Sequence, residues 1–138
     1  MLKSILTVTC AALLSCPVFA GGSTAGSSAA PDPYAGNLVR ISKIKVDPAQ
    51  VDVYKTYAAE VGRESMKREP GVRVLYSIQE KKDPTQFYIL EIYADQEAYR
   101  QHIQSRHFQQ YKQGTLKMVK ELELIDCNAL VPEALIKP

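Results

Sequence analysis

The residues best suited to chemistry lie on one short segment, EIYADQEAYRQHIQSRHF, which spans residues 91–108. It contains both histidines of the chain, His102 and His107, and it begins with Glu91 at the end of an apolar run. Imidazole suits proton transfer near neutral pH. A carboxylate among apolar side chains is costly to bury unless it is paired. The segment therefore predicts His102 as a general base, with Glu91 as a second base or as the group that orients His102.

Each of these residues also has a structural interpretation. His102 could bond a backbone carbonyl or Glu91, and Glu91 could pair with an Arg or Lys across a dimer. His107, five residues after His102, is expected at the rim of a pocket. Imidazoles with this spacing on one helix would lie apart in angle, unlike the i, i+4 pair of metalloproteases. No metal site is predicted from them, and Cys127 is expected to be a small buried residue in a late strand.

Length and charge define the broad class of protein. The 138 residues suffice for one domain. Lys and Arg number 17 and Asp and Glu 15, so the net charge is only +2. A nucleic-acid partner is not expected, because binding of that kind needs a clustered basic face.

The N-terminus has the features of a targeting segment. Residues 1–20 combine a basic start, an apolar run and small residues before a cut ahead of Gly21, which predicts a signal peptide and an exported, periplasmic or secreted protein. In a competing interpretation, Cys16 ends a lipobox and anchors a lipoprotein. Residues 21–36 are predicted to be a flexible linker, and residues 37–138 the folded domain. No transmembrane span is predicted.

Hydrophobic periodicity predicts the elements that must position these side chains. Strands are expected at residues 38–46, 72–79, 86–93 and 116–130. One helix should run from Ala49 to about Arg68, and another should follow Asp95. Ser105 is expected to cap a further short helix that ends at Gly114. The resulting β-α-β-β-α-β order predicts an α+β ferredoxin-like fold, a four-stranded antiparallel sheet with its helices on one face.

The second predicted strand suggests that both faces of this sheet are apolar. Strict alternation places Val72, Val74, Tyr76 and Ile78 on one face and Leu75 on the other. Two helices on one side of a small sheet leave the opposite face bare. A homodimer that covers this face is therefore predicted; a monomer with an amphipathic outer face is the alternative.

The ordered set of motifs resembles a known family. Its parts are RISKIKV at residues 40–46, EPGV at 69–72, FYILEIYAD at 87–95, and EAY at 97–99 followed by His102, Ser105, His107, Phe108 and Tyr111. Together they resemble the antibiotic biosynthesis monooxygenase (ABM) domain, especially its quinol-monooxygenase-like branch, over residues 38–126. The resemblance implies a fold of the dimeric α/β-barrel type with a small-molecule pocket between sheet and helices.

The resemblance also implies a chemistry. Characterised members include oxygenases that oxidise phenols, quinols and anthrones without metal or flavin, so a cofactor-independent monooxygenase with a quinol-like or phenolic substrate is expected. His102 matches the family's histidine on the helix after the third strand. Alternatives on the same scaffold are a non-catalytic small-ligand-binding envelope protein and an isomerase of a small carbonyl compound.

Several other residues are candidates for substrate binding. Tyr76, Tyr88 and Tyr99 could line a pocket for an aromatic ligand, although core packing is the more frequent role of such residues. Arg40 could reach a ligand oxyanion, although an outward strand position is the more frequent one. The charges around Lys67, Arg68 and Glu69 are expected on a solvated helix face. The substrate-binding candidates are therefore Tyr76, Tyr88, Tyr99, His107 and Arg40.

Overall fold

The computed structural model describes residues 32–134. The predicted signal peptide, the alternative lipidation site at Cys16 and most of the predicted linker lie outside these residues, and they stay predictions. Residues 33–36, at the end of that linker, form a turn whose Pro33 carbonyl accepts a hydrogen bond from Arg73. Within residues 32–134, no helix is both long and apolar enough to cross a membrane.

The element order confirms the predicted ferredoxin-like α+β fold. A single four-stranded antiparallel sheet has the strand order β2-β3-β1-β4. A short 3-10 turn, Pro48–Gln50, precedes the first helix. The strands are β1 Leu38–Val46, β2 Val72–Gln79, β3 Gln86–Tyr93 and β4 Val119–Cys127, and the helices are α1 Val51–Arg68, α2 Gln96–Gln104 and α3 Arg106–Thr115.

Helix α1 covers the centre of the sheet because its apolar residues recur at helical spacing. The 3-10 turn that leads into it is capped by Asp47, whose carboxylate accepts a hydrogen bond from the Ala49 amide. The buried side chains of α1 are Tyr54, Ala58, Val61 and Ser65. Tyr54 and Ala58 pack against alternate residues of β1 and β3, in a core that includes Ile44, Val46, Phe87 and Ile89.

A register shift in β2 changes which of its residues share a face. Val72 pairs with Tyr93 of β3, and Val74 pairs with Ile92, the neighbour of Tyr93 in the sequence. Two steps along β2 therefore match one step along β3. Arg73 is therefore an extra residue in the manner of a β-bulge. Val72 consequently packs in the core with Tyr93 and Ala98. The prediction that Val72 and Val74 share a face is wrong, because strict alternation fails across a bulge.

The last helix and strand differ from their predicted bounds. Gly114 was expected to end the helix, but α3 continues to Thr115, and β4 is shorter than predicted at both ends. A Cβ on Gly114 would overlap the ring of Tyr57. The glycine therefore permits close approach of α3 to α1 rather than terminating a helix. Cys127 lies at the end of β4 as expected, but it is only partly buried.

Ser105 separates α2 from α3, as the sequence predicts. Its backbone is extended, with φ −62° and ψ 148°, so α2 cannot continue through it. Its hydroxyl accepts a hydrogen bond from the Phe108 amide at 3.2 Å and so caps α3. The chain changes direction between His102 and His107, which are on different helices.

Candidate functional site

A cavity of about 540 Å³ lies between the sheet and the helices. Its walls are mainly aliphatic and aromatic side chains, with a few polar groups among them, which is the usual character of a small-molecule site. The cavity extends along β4, where Leu122 and Leu124 are more than half exposed. Its polar lining includes Arg40, Ser42, Glu91, Tyr93, Tyr99 and His102.

His102 forms part of the cavity wall and is only 2% exposed. Its Nδ1 lies 3.0 Å and 3.3 Å from the two carboxylate oxygens of Glu69. The ring packs edge-on to Phe108 and at a tilt to Tyr93, with centroids at 4.8 Å and 5.3 Å. Because the carboxylate accepts a hydrogen bond from Nδ1–H, a neutral His102 is left with its Nε2 lone pair as the basic atom.

Glu69 is the functional residue that the sequence interpretation missed. It is the C-cap of α1, and its side chain is only 14% exposed instead of solvated. Burial by itself would raise the pKa of this carboxyl, but hydrogen bonds from His107 and His102 outweigh burial and hold its pKa below the ordinary value. A signal was present in the sequence: Glu69 follows Ser65 by one helical turn and so continues the buried face of α1.

The two imidazoles converge on the same carboxylate. His107 Nε2 bonds the Glu69 oxygen Oε1 that also faces His102, and the two rings lie 6.4 Å apart between centroids. The expectation that these imidazoles lie well apart is therefore wrong. It assumed one continuous helix, whereas the break at Ser105 turns both rings toward Glu69.

Glu91 has two hydroxyl partners within the same chain. It is 8% exposed and accepts hydrogen bonds from Ser42 at 2.5 Å and from Tyr93 at 2.8 Å. Burial and the neighbouring Glu91 raise the pKa of the Tyr93 hydroxyl, which therefore stays protonated as the donor. Glu91 and His102 line one cavity, but the carboxylate that orients His102 is Glu69.

Arg40 lies on the cavity face of β1, directly opposite Glu91 on β3. The outward position judged more frequent for it is wrong, because β1 places Arg40 on the same face as the core residues. Its guanidinium stacks over the Tyr99 ring at 4.8 Å and pairs with Asp126 at 2.7 Å. Burial lowers the pKa of Arg40, but Asp126 and Tyr99 outweigh it and raise this pKa, so the group stays positively charged.

The remaining candidates divide between the two faces of the sheet. Tyr99 lines the cavity. His107 bonds Glu69, the carboxylate that also bonds His102. Tyr76 lies opposite Leu90 on the outer face and is 60% exposed. Tyr88 is also on the outer face, where its hydroxyl donates to Glu80 at 3.3 Å. Neither of these two tyrosines faces the cavity, since alternation puts them on the side away from the helices.

Comparison with known proteins identifies the family. The model of the family described as antibiotic biosynthesis monooxygenase matches residues 38–114, which is more than half of the chain. The chain belongs to the ABM family. This assigns it to the ABM-type monooxygenases at the level of the family, with the fold type that its sequence motifs predicted. No curated protein matches the chain.

Solved structures support this membership. A candidate antibiotic biosynthesis monooxygenase from Bacteroides thetaiotaomicron VPI-5482 is 49% identical, with a TM-score of 0.73, and the match covers 74% of this chain and 97% of that one. A candidate monooxygenase from Lactobacillus acidophilus NCFM is 27% identical, with a TM-score of 0.65, over 66% of this chain and 43% of that one. A family protein from Nitrosomonas europaea, at 22% identity and a TM-score of 0.66, shares the fold over 70% of this chain and 92% of its own.

Proposed function

We propose that this ABM protein is a cofactor-independent monooxygenase that oxidises a quinol-like or phenolic small molecule with dioxygen. The observation that carries the proposal is the environment of His102: a buried imidazole on a cavity wall, with Nδ1 held by Glu69. This arrangement presents Nε2 as the basic atom to a ligand. Family membership supports the oxygenase reaction, and the aliphatic and aromatic cavity walls suit an aromatic ring.

The first step is transfer of the phenolic proton to His102 Nε2. The imidazolium that forms is stabilised by the Glu69 carboxylate at its Nδ1 side, in the way that a carboxylate supports a catalytic histidine elsewhere. Arg40 provides a fixed positive charge on the same cavity wall for the phenolate oxygen.

The second step consumes one dioxygen and needs no external reductant. The phenolate transfers one electron to dioxygen, and the phenoxyl radical and superoxide then combine at a ring carbon. The hydrogen on that carbon passes as a proton to the outer peroxide oxygen as the O–O bond breaks, which leaves a ring carbonyl and releases hydroxide. The released hydroxide takes the proton held by His102 and leaves as water. The net change is phenol plus dioxygen to quinone plus water.

The non-catalytic alternative, a small-ligand-binding protein, uses the same cavity. The exposed Leu122 and Leu124 at its edge favour binding of an apolar molecule, whether or not that molecule is turned over. Under this alternative, aromatic ligands would bind with unchanged affinity to His102→Gln, and no oxygen would be consumed.

Isotopic labelling tests the reaction itself. Chelator-treated protein is incubated with a panel of quinols under labelled dioxygen, and the products are analysed by mass spectrometry. The proposal expects one labelled oxygen atom in the quinone product, with the reaction rate unchanged by the chelator. Release of one hydrogen peroxide per quinol consumed, with no labelled oxygen in the quinone, would show simple oxidation and contradict the proposal.

We also propose that the molecule acts as a homodimer that covers the outer face of the sheet. Tyr76 and Ile78 are exposed there by 60% and 48%, on the face opposite the helices. Partly buried apolar residues of the neighbouring strands, including Ile41 and Leu90, extend this surface across the sheet. Charged residues, including the Lys43–Glu123 pair, lie beside this apolar patch on β1 and β4. An apolar patch with a polar border is typical of an interaction surface.

A further inference from the structure

We propose that Glu69, His102 and His107 form a binding site for a divalent transition-metal ion such as Zn²⁺. The donor atoms are a carboxylate oxygen of Glu69, Nδ1 of His102 and Nε2 of His107, and all lie within 4.8 Å of one another. Two imidazoles and a carboxylate are a ligand set that Zn²⁺ takes in sites that keep a fourth position open.

The three ligands come from three different elements. Glu69 ends α1, His102 is in the last turn of α2, and His107 is in the first turn of α3. The break at Ser105 is what allows an i, i+5 pair to share one carboxylate. A site assembled this way is held by the packing of the helices rather than by one flexible segment, which favours a defined coordination geometry.

One pair of donor atoms is already at coordination spacing. In a tetrahedral zinc site, neighbouring ligand atoms are about 3.3 Å apart. The Glu69 oxygens lie 3.0 Å and 3.3 Å from His102 Nδ1. The third donor, His107 Nε2, bonds the same Glu69 oxygen, and an ion would take the place of that hydrogen bond.

Burial distinguishes this cluster from acidic groups on a surface. The side chains of His102, His107 and Glu69 are 3%, 13% and 14% exposed. Attraction between a carboxylate and a cation is screened far less here than in bulk water. Ser65, which is fully buried, places its hydroxyl 3.5 Å from His102 Nδ1 and beside Glu69, where it can hold the ligands in orientation.

Metal binding would change the tautomer of each imidazole. Without metal, each imidazole donates an N–H to Glu69. An ion bound at those same nitrogens replaces both hydrogen bonds, and each neutral ring then carries its proton on the other nitrogen. No net release of protons is needed, because both imidazoles change tautomer.

Metal binding has a consequence that rests on the proposed function. Once Nδ1 of His102 binds an ion, the ring proton occupies Nε2, and that atom can no longer accept a phenolic proton. A stoichiometric amount of Zn²⁺ is therefore expected to inhibit the proposed oxygenation rather than support it.

Isothermal titration of the chelator-stripped full chain with ZnCl₂, without substrate, tests the site. One ion per chain is expected to bind, and His107→Ala should weaken binding by about tenfold or more. Glu97→Gln, which removes an exposed carboxylate of α2 paired with Arg100, should leave the affinity unchanged. The variants retain all cysteines, so zinc held by a thiol would persist in each of them.

A second variant distinguishes the loss of a zinc ligand from a folding defect. Glu69→Gln keeps the shape of the side chain and should also lose affinity by about tenfold or more; circular dichroism confirms that each variant is folded. The proposal is overturned if wild type shows no saturable zinc binding, or if His107→Ala and Glu69→Gln bind zinc as wild type does. Because no substrate is present, neither outcome depends on whether the protein consumes oxygen.

Discussion

Glu69 links the two imidazoles of the chain, and its position determines what His102 can do. The carboxylate accepts hydrogen bonds from both rings, so the basic lone pair of His102 is on Nε2. The sequence predicted His102 and Glu91 as the chemical pair. The structure retains both in one cavity but assigns the orienting role to Glu69, a residue that helical periodicity through Ser65 could have indicated.

Glu69 should also make folding stability depend on pH. Its pKa in the folded state lies below the ordinary value of 4.5, so the unfolded chain binds more protons as acid is added. The stability that this group contributes is complete above the unfolded pKa and is lost as pH falls through the folded pKa.

Denaturant titrations at pH 7 and at several acidic pH values measure this effect. Wild type should lose more free energy of unfolding on acidification than Glu69→Gln does. Glu97→Gln, which removes an exposed carboxylate of α2, is the control and should follow wild type. An equal acid-dependent loss in Glu69→Gln and wild type would contradict the assigned environment of Glu69.

At the scale of elements, hydrophobic periodicity and capping residues predicted the order and type of the four strands and three α-helices. These patterns could not predict the register shift between Val72 and Val74, since a bulge depends on pairing with β3 rather than on the local sequence. They also mispredicted Gly114, whose role depends on a tyrosine of another helix. Local patterns therefore predicted the architecture, and contacts between elements determined the exceptions.

Gly114→Ala should destabilise the protein because its new methyl group would overlap the Tyr57 ring and displace it from its packing against α3. The expected loss is about 1–3 kcal/mol of unfolding free energy, which is typical of overpacking. Chemical denaturation measures it.

Gly62→Ala is the matched control on α1. A methyl group there meets only the Leu75 carbonyl at 3.8 Å, which is ordinary contact. The replacement of a helical glycine by alanine should therefore stabilise the protein by roughly 0.5–1 kcal/mol. Equal effects of the two substitutions would show that helix propensity, and not the approach to Tyr57, governs position 114.

At the scale of the whole molecule, the sheet presents an apolar patch on its outer face, opposite the helices. Light scattering at micromolar concentration should give the mass of a dimer. Ile78→Glu should give a monomer, because it introduces a charge on that face, where Ile78 is 48% exposed. Val53→Glu changes a residue on α1 with nearly the same exposure, 47%, and should remain a dimer. A monomeric wild type would contradict the proposed interface.

The most direct test of the central claim is oxygen uptake by chelator-treated wild type and His102→Ala with the same quinol. Wild type should consume oxygen faster than the quinol does by autoxidation alone. The enzymatic rate of His102→Ala should be about 10²–10⁴-fold lower, as expected for removal of a general base. Tyr88→Phe, on the opposite face of the sheet, should retain the full rate. A folded His102→Ala that consumes oxygen as fast as wild type would contradict the assignment of His102 as the base.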